Sequence, residues 1–459
     1  MAHDEPYRIN GPPSSHRQAP TGHNFRKLRT LAMRILFDHQ VMDAQIRGGI
    51  SRYFHQLIST LESRELAEVR LPPAYTDNEC FRPLLAKLGL QRNGIRTFLI
   101  QNIRRTALPR QEIERVWRRA KRRHNREASV KKLKERDFDL FHPTYYDPYF
   151  LDHLKGKPFV LTIHDMIHEM FPGYFKPDDR TREHKAMLAR EAAGIIAISS
   201  STKADILKYI DVDPGKIEVI HLAGSLTGES EEIAVPGNYV LHVGERCRHK
   251  NFQTFLAAFA GLAAALPDLH LVCASQKGFD RSERDLIERL GLAGRCASLS
   301  ANDRQLTYLY RNAALLAVPS LYEGFGLPVL EAFAAHCPVA LSATSCFPEI
   351  AGDAALYFDP SDVSSIERAL GRLLSDRALR QALIFRGQER LQKFSWATTA
   401  ERTVAVYGRC LSGGLPYEKS DGAPPGHECP GYVGTEKPAE AGSEARAAPP
   451  GAGFTRLFG

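Results

Sequence analysis

Short apolar runs alternate with helical patterns along most of this chain, and the alternation pauses and restarts once. The first series comprises Leu31–Asp38, Phe138–Thr144, Phe159–Asp165, Gly194–Ser199 and Ile217–Leu222. Strands this uniformly apolar are covered on both faces, and strands separated by helices build parallel sheets. Gly48-Gly49 open an amphipathic stretch, Ile50–Leu61, within that series. From Ala223 to Gly237 the chain turns polar, with four acidic or proline positions and repeated glycine. The alternation then resumes with Asn238–Gly244, His270–Ser275, Cys296–Ser300, Ala313–Pro319, Pro338–Ala343 and Ala355–Pro360, with helices expected from Phe252, Ser282 and Asp303. This pattern predicts an α/β protein of two doubly wound, Rossmann-like domains, residues 31–223 and 238–395, joined by a linker over 224–237 and facing a central cleft. A helix over 396–411 is expected to cross back to the first domain. Residues 1–30 read as a flexible extension, and 412–459, rich in Gly, Pro, Ala, Glu and Ser, as a disordered tail.

In open parallel sheets, ligands bind beyond the carboxyl ends of the strands. That rule selects Asp38, Gly48-Gly49, His164-Asp165, Ser199–Ser201, Glu245–Lys250 and Glu323–Gly326. The stretch EGFGLPVLE, Glu323 to Glu331, is the most pointed of these. Gly324 and Gly326 let backbone approach a ligand closely, and Pro328 suits the first turn of a helix starting near Leu327. The free amides at that helix start favour phosphate or hydroxyl oxygens. Eight helical residues would hold Glu323 and Glu331 about 12 Å apart, against about 5 Å in a retaining hydrolase, so separate binding roles follow. Arg246, Arg248 and Lys250 form a cationic cluster at a strand end, suited to a diphosphate. Neither G-x-x-x-x-G-K-[ST] nor a helix-opening G-x-G-x-x-G occurs, which argues against an ATPase or a dinucleotide dehydrogenase. The Asp-x-Asp triplets, Asp137-Phe138-Asp139 and Asp211-Val212-Asp213, stand apart from the selected strand ends and do not cluster with them into a ligand set, and no metal is expected.

Charge is concentrated. Ile103–Arg136 holds 14 Lys/Arg against 4 Asp/Glu, a local excess of +10 that surpasses the chain's whole net charge of +8. Ile113, Val116, Trp117, Ala120, Val130 and Leu133 add a partial apolar stripe at helical spacing, so this segment could dock on an anionic membrane surface or simply be a solvated helix face. Few aromatics interleave the charges, and nucleic acid is not an expected partner. The eight cysteines include no C-x-x-C pair, and no window offers the ~18 apolar residues of a membrane span. Reduced thiols and a cytoplasmic location follow, with peripheral attachment at the inner face of the membrane as an option.

The segments VGERCRHKNF, VPSLYEGFGLPVLEAFAAHCPVALS and PEIAGDAALYFDP closely resemble the donor-domain motifs of family 4 retaining glycosyltransferases of the GT-B fold. FDHQVMDAQIRGGISRYFHQL and LTIHDMIHEMFP look like the acceptor half of a mannosyltransferase-like branch, so the likeness runs from about Met33 to Cys410. The resemblance implies transfer of a hexose from a nucleoside-diphosphate sugar, GDP-mannose first and a UDP-sugar second, to a saccharide or lipid-linked glycan, as in bacterial surface polysaccharide or lipopolysaccharide synthesis. Lys250 would contact the donor diphosphate, aided by Arg246 or Arg248. Glu331 would hold the ribose, and Glu323 with the Gly324, Phe325, Gly326 and Leu327 backbone would hold the sugar and phosphate. His164 would sit beside the reacting sugar, and Gly48, Gly49 and Asp165 on the acceptor side. Two positions depart from the family pattern: His249 stands where many relatives have Arg, and Glu245 where some do. A non-hydrolysing sugar-nucleotide epimerase and a non-catalytic membrane-surface binder are the competing readings.

Overall fold

The computed structural model describes residues 33–92, 110–226 and 228–413. The expectations for 1–30, for 103–109 and for the tail beyond 413 lie outside the described residues. In the first lobe β1 (Arg34–Phe37), β2 (Glu68–Arg70) and β3 (Leu140–His142) form a parallel sheet in the order β2-β1-β3, and β4 (Val160–Ile163), β5 (Gly194–Ala197) and β6 (Ile217–Val219) form another in the order β4-β5-β6. A bridge between Phe141 and Phe159 seams the two sheets. The short β2 has no counterpart in the sequence reading. It is an edge strand with a single apolar residue, Val69, between two charged ones, so it carries no apolar run to detect.

The second lobe contains β7 (Tyr239–Val243), β8 (His270–Ala274), β9 (Cys296–Leu299), β10 (Leu315–Val318), β11 (Val339–Ser342) and β12 (Leu356–Phe358), paired in parallel in the order β12-β11-β10-β7-β8-β9. All four residues of β4, β5, β10 and β11 are buried, as strands covered by helices on both faces require. Each fully buried Leu, Ile or Val there stabilises the fold by about 1.5–3 kcal/mol. Between β6 and β7, residues 220–226 and 228–238 contain no helix or strand.

The helix Trp396–Leu411 returns to the first lobe. Tyr407 shares a 2.6 Å hydrogen bond with His142, and Trp396 Nε1 donates to the Gly224 carbonyl at 3.0 Å. No side chain fits between it and β5: a Cβ on Gly194 would lie 2.8 Å from Cys410 Sγ.

Candidate functional site

β7 and β10 are neighbours in the sheet although two strands separate them in sequence, so the strand order reverses between them. Chains leaving such a pair diverge to opposite faces of the sheet and open a crevice at its carboxyl edge. The segment after β7 leads to Lys250, and the one after β10 leads to Glu323. His164 and Asp165, at the end of β4, approach from the first lobe. Together they line a cleft of about 450 Å³ that also takes in Gly48, Gly49, Gly324, Phe325, Gly326, Leu327 and Glu331.

Lys250 sits at the end of a 3₁₀ turn, Arg248–Lys250, and donates to Glu323 Oε1. The same carboxylate oxygen accepts from Ser320 Oγ at 2.8 Å. Glu331 lies in the helix Leu327–Ala334 and is only 2% exposed. Its Oε2 accepts from the Tyr310 hydroxyl at 2.9 Å and its Oε1 from Arg52, whose other terminal nitrogen reaches Asp303 at 2.7 Å. A buried carboxylate without such partners would be strongly destabilising. The helix start at Gly326 needs its glycine, since φ is +89° and a Cβ would lie 2.9 Å from the Phe347 ring. Gly324 is held tighter still, with His164's carbonyl oxygen 1.8 Å from where a Cβ would be. The two lobes meet there, backbone to backbone.

His164 is buried against the rings of Tyr53 and Phe54, and its amide donates to the Tyr146 hydroxyl at 3.1 Å. Burial pushes its imidazole down to about 4, with the Asp165 charge opposing in part, so the ring is neutral at pH 7. Its Nε2 has no partner among the described residues. Burial alone would raise the Asp165 carboxyl, but the Lys185 ammonium, with the Ile167 amide, holds it below the usual range. Lys185 is fully buried and donates to the Asp165 carbonyl and to Glu169, each at 2.9 Å, which anchors this strand tip from beneath.

Several residues chosen from sequence stand elsewhere. Arg246 is not among the residues lining the cleft: it pairs with Glu283 at 2.8 Å, donates to the carbonyls of Lys277 and Gly278, and stacks over Phe252 and Phe279. Arg248 lies over the ring of Tyr174 and does not line the cleft either. Asp38 follows β1 as the strand-end rule requires, yet its carboxylate is spent on Thr144, Gln40 and Tyr149. The amides of Ser200 and Ser201 are capped from the second lobe by Glu349, which also takes a 2.6 Å bond from His221. Conversely, the cleft holds Arg47, Arg52 and Asp303, which the reading passed over, and Ser275, Gln276, Ser300 and Ala301 at the ends of β8 and β9. The strand-end rule applied to β8 and β9 points to the last four. Arg52 was visible as the cation one turn into the helix opened by Gly48-Gly49.

A two-lobed parallel α/β protein with cations and carboxylates meeting at the switch point is an architecture suited to a ligand that carries both negative charge and hydroxyl groups. Residues 47–223 match Glycosyltransferase Family 4, and residues 228–390 match Glycosyl transferases group 1. The chain belongs to the family 4 glycosyltransferases and has the GT-B fold; it is an enzyme, which sets aside the non-catalytic reading. It is 29% identical over 290 residues to an O-antigen chain mannosyltransferase B of Escherichia coli, covering 59% of this chain and 74% of that protein. It is 30% identical over 237 residues to an MMP alpha-(1->4)-mannosyltransferase of Mycolicibacterium hassiacum, covering 50% of this chain and 57% of the relative. Anabaena HepE, solved in complex with UDP and glucose, superposes with a TM-score of 0.60 at 17% identity, covering 82% of this chain and 99% of HepE.

Proposed function

We propose that this enzyme transfers mannose from GDP-mannose to a saccharide or lipid-linked glycan acceptor, with retention at the anomeric carbon. A UDP-linked hexose is the second donor to test, since HepE was solved with UDP and glucose. The mannosyl assignment is supported by the names of the two sequence relatives, one of which builds an O-antigen chain. The observation that carries the site reading is the convergence of Lys250, Glu323 and Glu331 on one cleft with His164 across it.

In this reading the donor's ribose hydroxyls bind Glu331, the sugar hydroxyls bind Glu323, and Lys250 together with the amides at the Leu327 helix start receives the diphosphate. As the bond between C1 and the phosphate oxygen breaks, negative charge grows on the phosphate and positive charge on the sugar ring. Fixed cations and amides aimed at the phosphate lower the barrier without reorganising. The acceptor hydroxyl forms the new bond to C1 on the same face and gives its proton to the departing phosphate oxygen. His164 is neutral at pH 7 and positions the sugar; it is not the base. No group of three or more His, Cys, Asp or Glu placed to hold a metal ion occurs among the described residues.

The helix Arg110–Glu135 is proposed to hold the enzyme at an anionic membrane surface on the cytoplasmic side. Leu133 is buried and Val130 packs partly beneath, so part of the stripe docks the helix on its own domain, while Val116 remains 47% exposed among exposed arginines. Among the described residues no helix is long and apolar enough to cross a membrane.

A screen of nucleotide release across purified sugar donors, with the product's anomeric configuration read by NMR, tests the assignment. Release of GDP from GDP-mannose only when acceptor is present, with an α-linked product, is the expected result. Conversion of a donor to its epimer with no acceptor present would instead identify an epimerase.

A further inference from the structure

We infer that Arg52 is a second phosphate-binding cation of the donor site, contributed across the cleft by the first lobe. The inference rests on the reading of Glu331 as the ribose carboxylate. Each carboxylate assigned to donor hydroxyls is already matched by a cation from the cleft wall: Glu323 by Lys250, and Glu331 by Arg52. A nucleoside-diphosphate sugar brings both chemistries at once. Its hydroxyls donate to carboxylates, and its two ionised phosphate groups seek cations. Donor binding therefore exchanges partners at both pairs, and the cations it frees are left facing the diphosphate.

The geometry says which partner of Glu331 gives way. Tyr310 is wholly buried, and its hydroxyl on Oε2 has no room to withdraw. Arg52 reaches Oε1 from the first turn of the helix Gly49–Ser63, on a long flexible arm whose side chain retains 14% exposure. Its second anchor, Asp303, is an exposed carboxylate at the rim, so the guanidinium is held at the cleft between two acceptors of the opposite lobe. A Cβ on Gly49, three residues earlier, would lie 3.8 Å from Leu327 Cδ1, on the residue that begins the phosphate-side helix. A planar guanidinium binds phosphate in two-pronged fashion, which a lysine does not reproduce.

Calorimetry on the full-length enzyme separates this role from a passive one. GDP and UDP, and their nucleosides guanosine and uridine, are titrated into wild type, Arg52→Met, Arg52→Lys and Glu331→Gln. In Arg52→Met the affinity for the tighter-binding diphosphate should fall about 10- to 100-fold, the worth of a charged hydrogen-bonded contact. The affinity for its nucleoside, which carries no phosphate, should hold or rise because Glu331 is freed. Arg52→Lys should recover part of the diphosphate affinity, and unchanged circular dichroism and melting confirm that each variant folds. Equal losses for diphosphate and nucleoside would mean that Arg52 merely props Glu331, and no loss for the diphosphate would mean that it never meets phosphate; either overturns the inference. Glu331→Gln tests the underlying reading separately. If nucleoside affinity is untouched in that variant, the ribose assignment fails regardless of what Arg52 does.

Discussion

Gly324→Ala is the smallest change that tests whether the lobes must meet as they do. The added Cβ would lie 1.8 Å from the His164 carbonyl oxygen, whereas real Cβ atoms essentially never come closer than 3.0 Å to such a neighbour. The Glu323–Gly326 strap and the tip of β4 must therefore separate by at least about 1.2 Å. Neither side is a flexible side chain. The strap is tied through the Glu323 amide to Ser345 at 3.1 Å, and His164 through its own amide to Tyr146. Movement on that scale displaces Glu323 and the helix-start amides relative to the His164 wall. A misplacement of about 1 Å at a reacting centre costs on the order of 10²-fold in rate, or about 2.7 kcal/mol in barrier. The cores around Phe255 and Leu271 in the second lobe and around Phe141 and Ile195 in the first are untouched, so both lobes should stay folded, with any fall in melting temperature coming from the shared core that joins them. The assay is steady-state nucleotide release with the donor found by the screen, beside a thermal melt. A Gly324→Ala enzyme with wild-type kcat and KM would refute the claim that this backbone contact sets the active geometry.

Lys250→Ala should lower turnover by about 10²–10³ while melting like wild type, since its side chain serves Glu323 alone among the described residues; retained turnover would remove it from the site. Stability should fall as pH drops from about 6.5 to 4. Burial holds the imidazoles of His142, His164 and His242 down to about 3, 4 and 4, so over that window the unfolded chain binds protons that the folded one refuses. At pH 5 the loss should run near 1 kcal/mol per pH unit for each group, read from urea midpoints, and a flat profile would contradict it. Replacing Arg118, Arg119, Arg122 and Arg123 together by Gln should release the enzyme from anionic vesicles, each charge being worth about 1 kcal/mol. Lys121 is left in place because it turns inward toward Asp77 at 3.4 Å. Unchanged sedimentation would reject the membrane reading.

The two parallel lobes are legible in the order of residues alone, because apolar runs and helical spacing are local properties that survive any arrangement of the rest. The same order locates the Glu323–Glu331 segment, where Gly326 must adopt a positive φ and the helix must begin at Leu327. A strand such as β2, with one apolar residue at an exposed edge, left no such trace. Which cations face the cleft depends on how the folded lobes pack. Arg246 and Arg248 stand within four residues of Lys250, yet Glu283 and two phenylalanine rings claim the first, and Tyr174 the second. Arg52 reaches Glu331 across 279 positions of chain. Charge attracts without regard to sequence distance, so the partner of a long, flexible cation is settled by which carboxylate the folded lobes bring within reach.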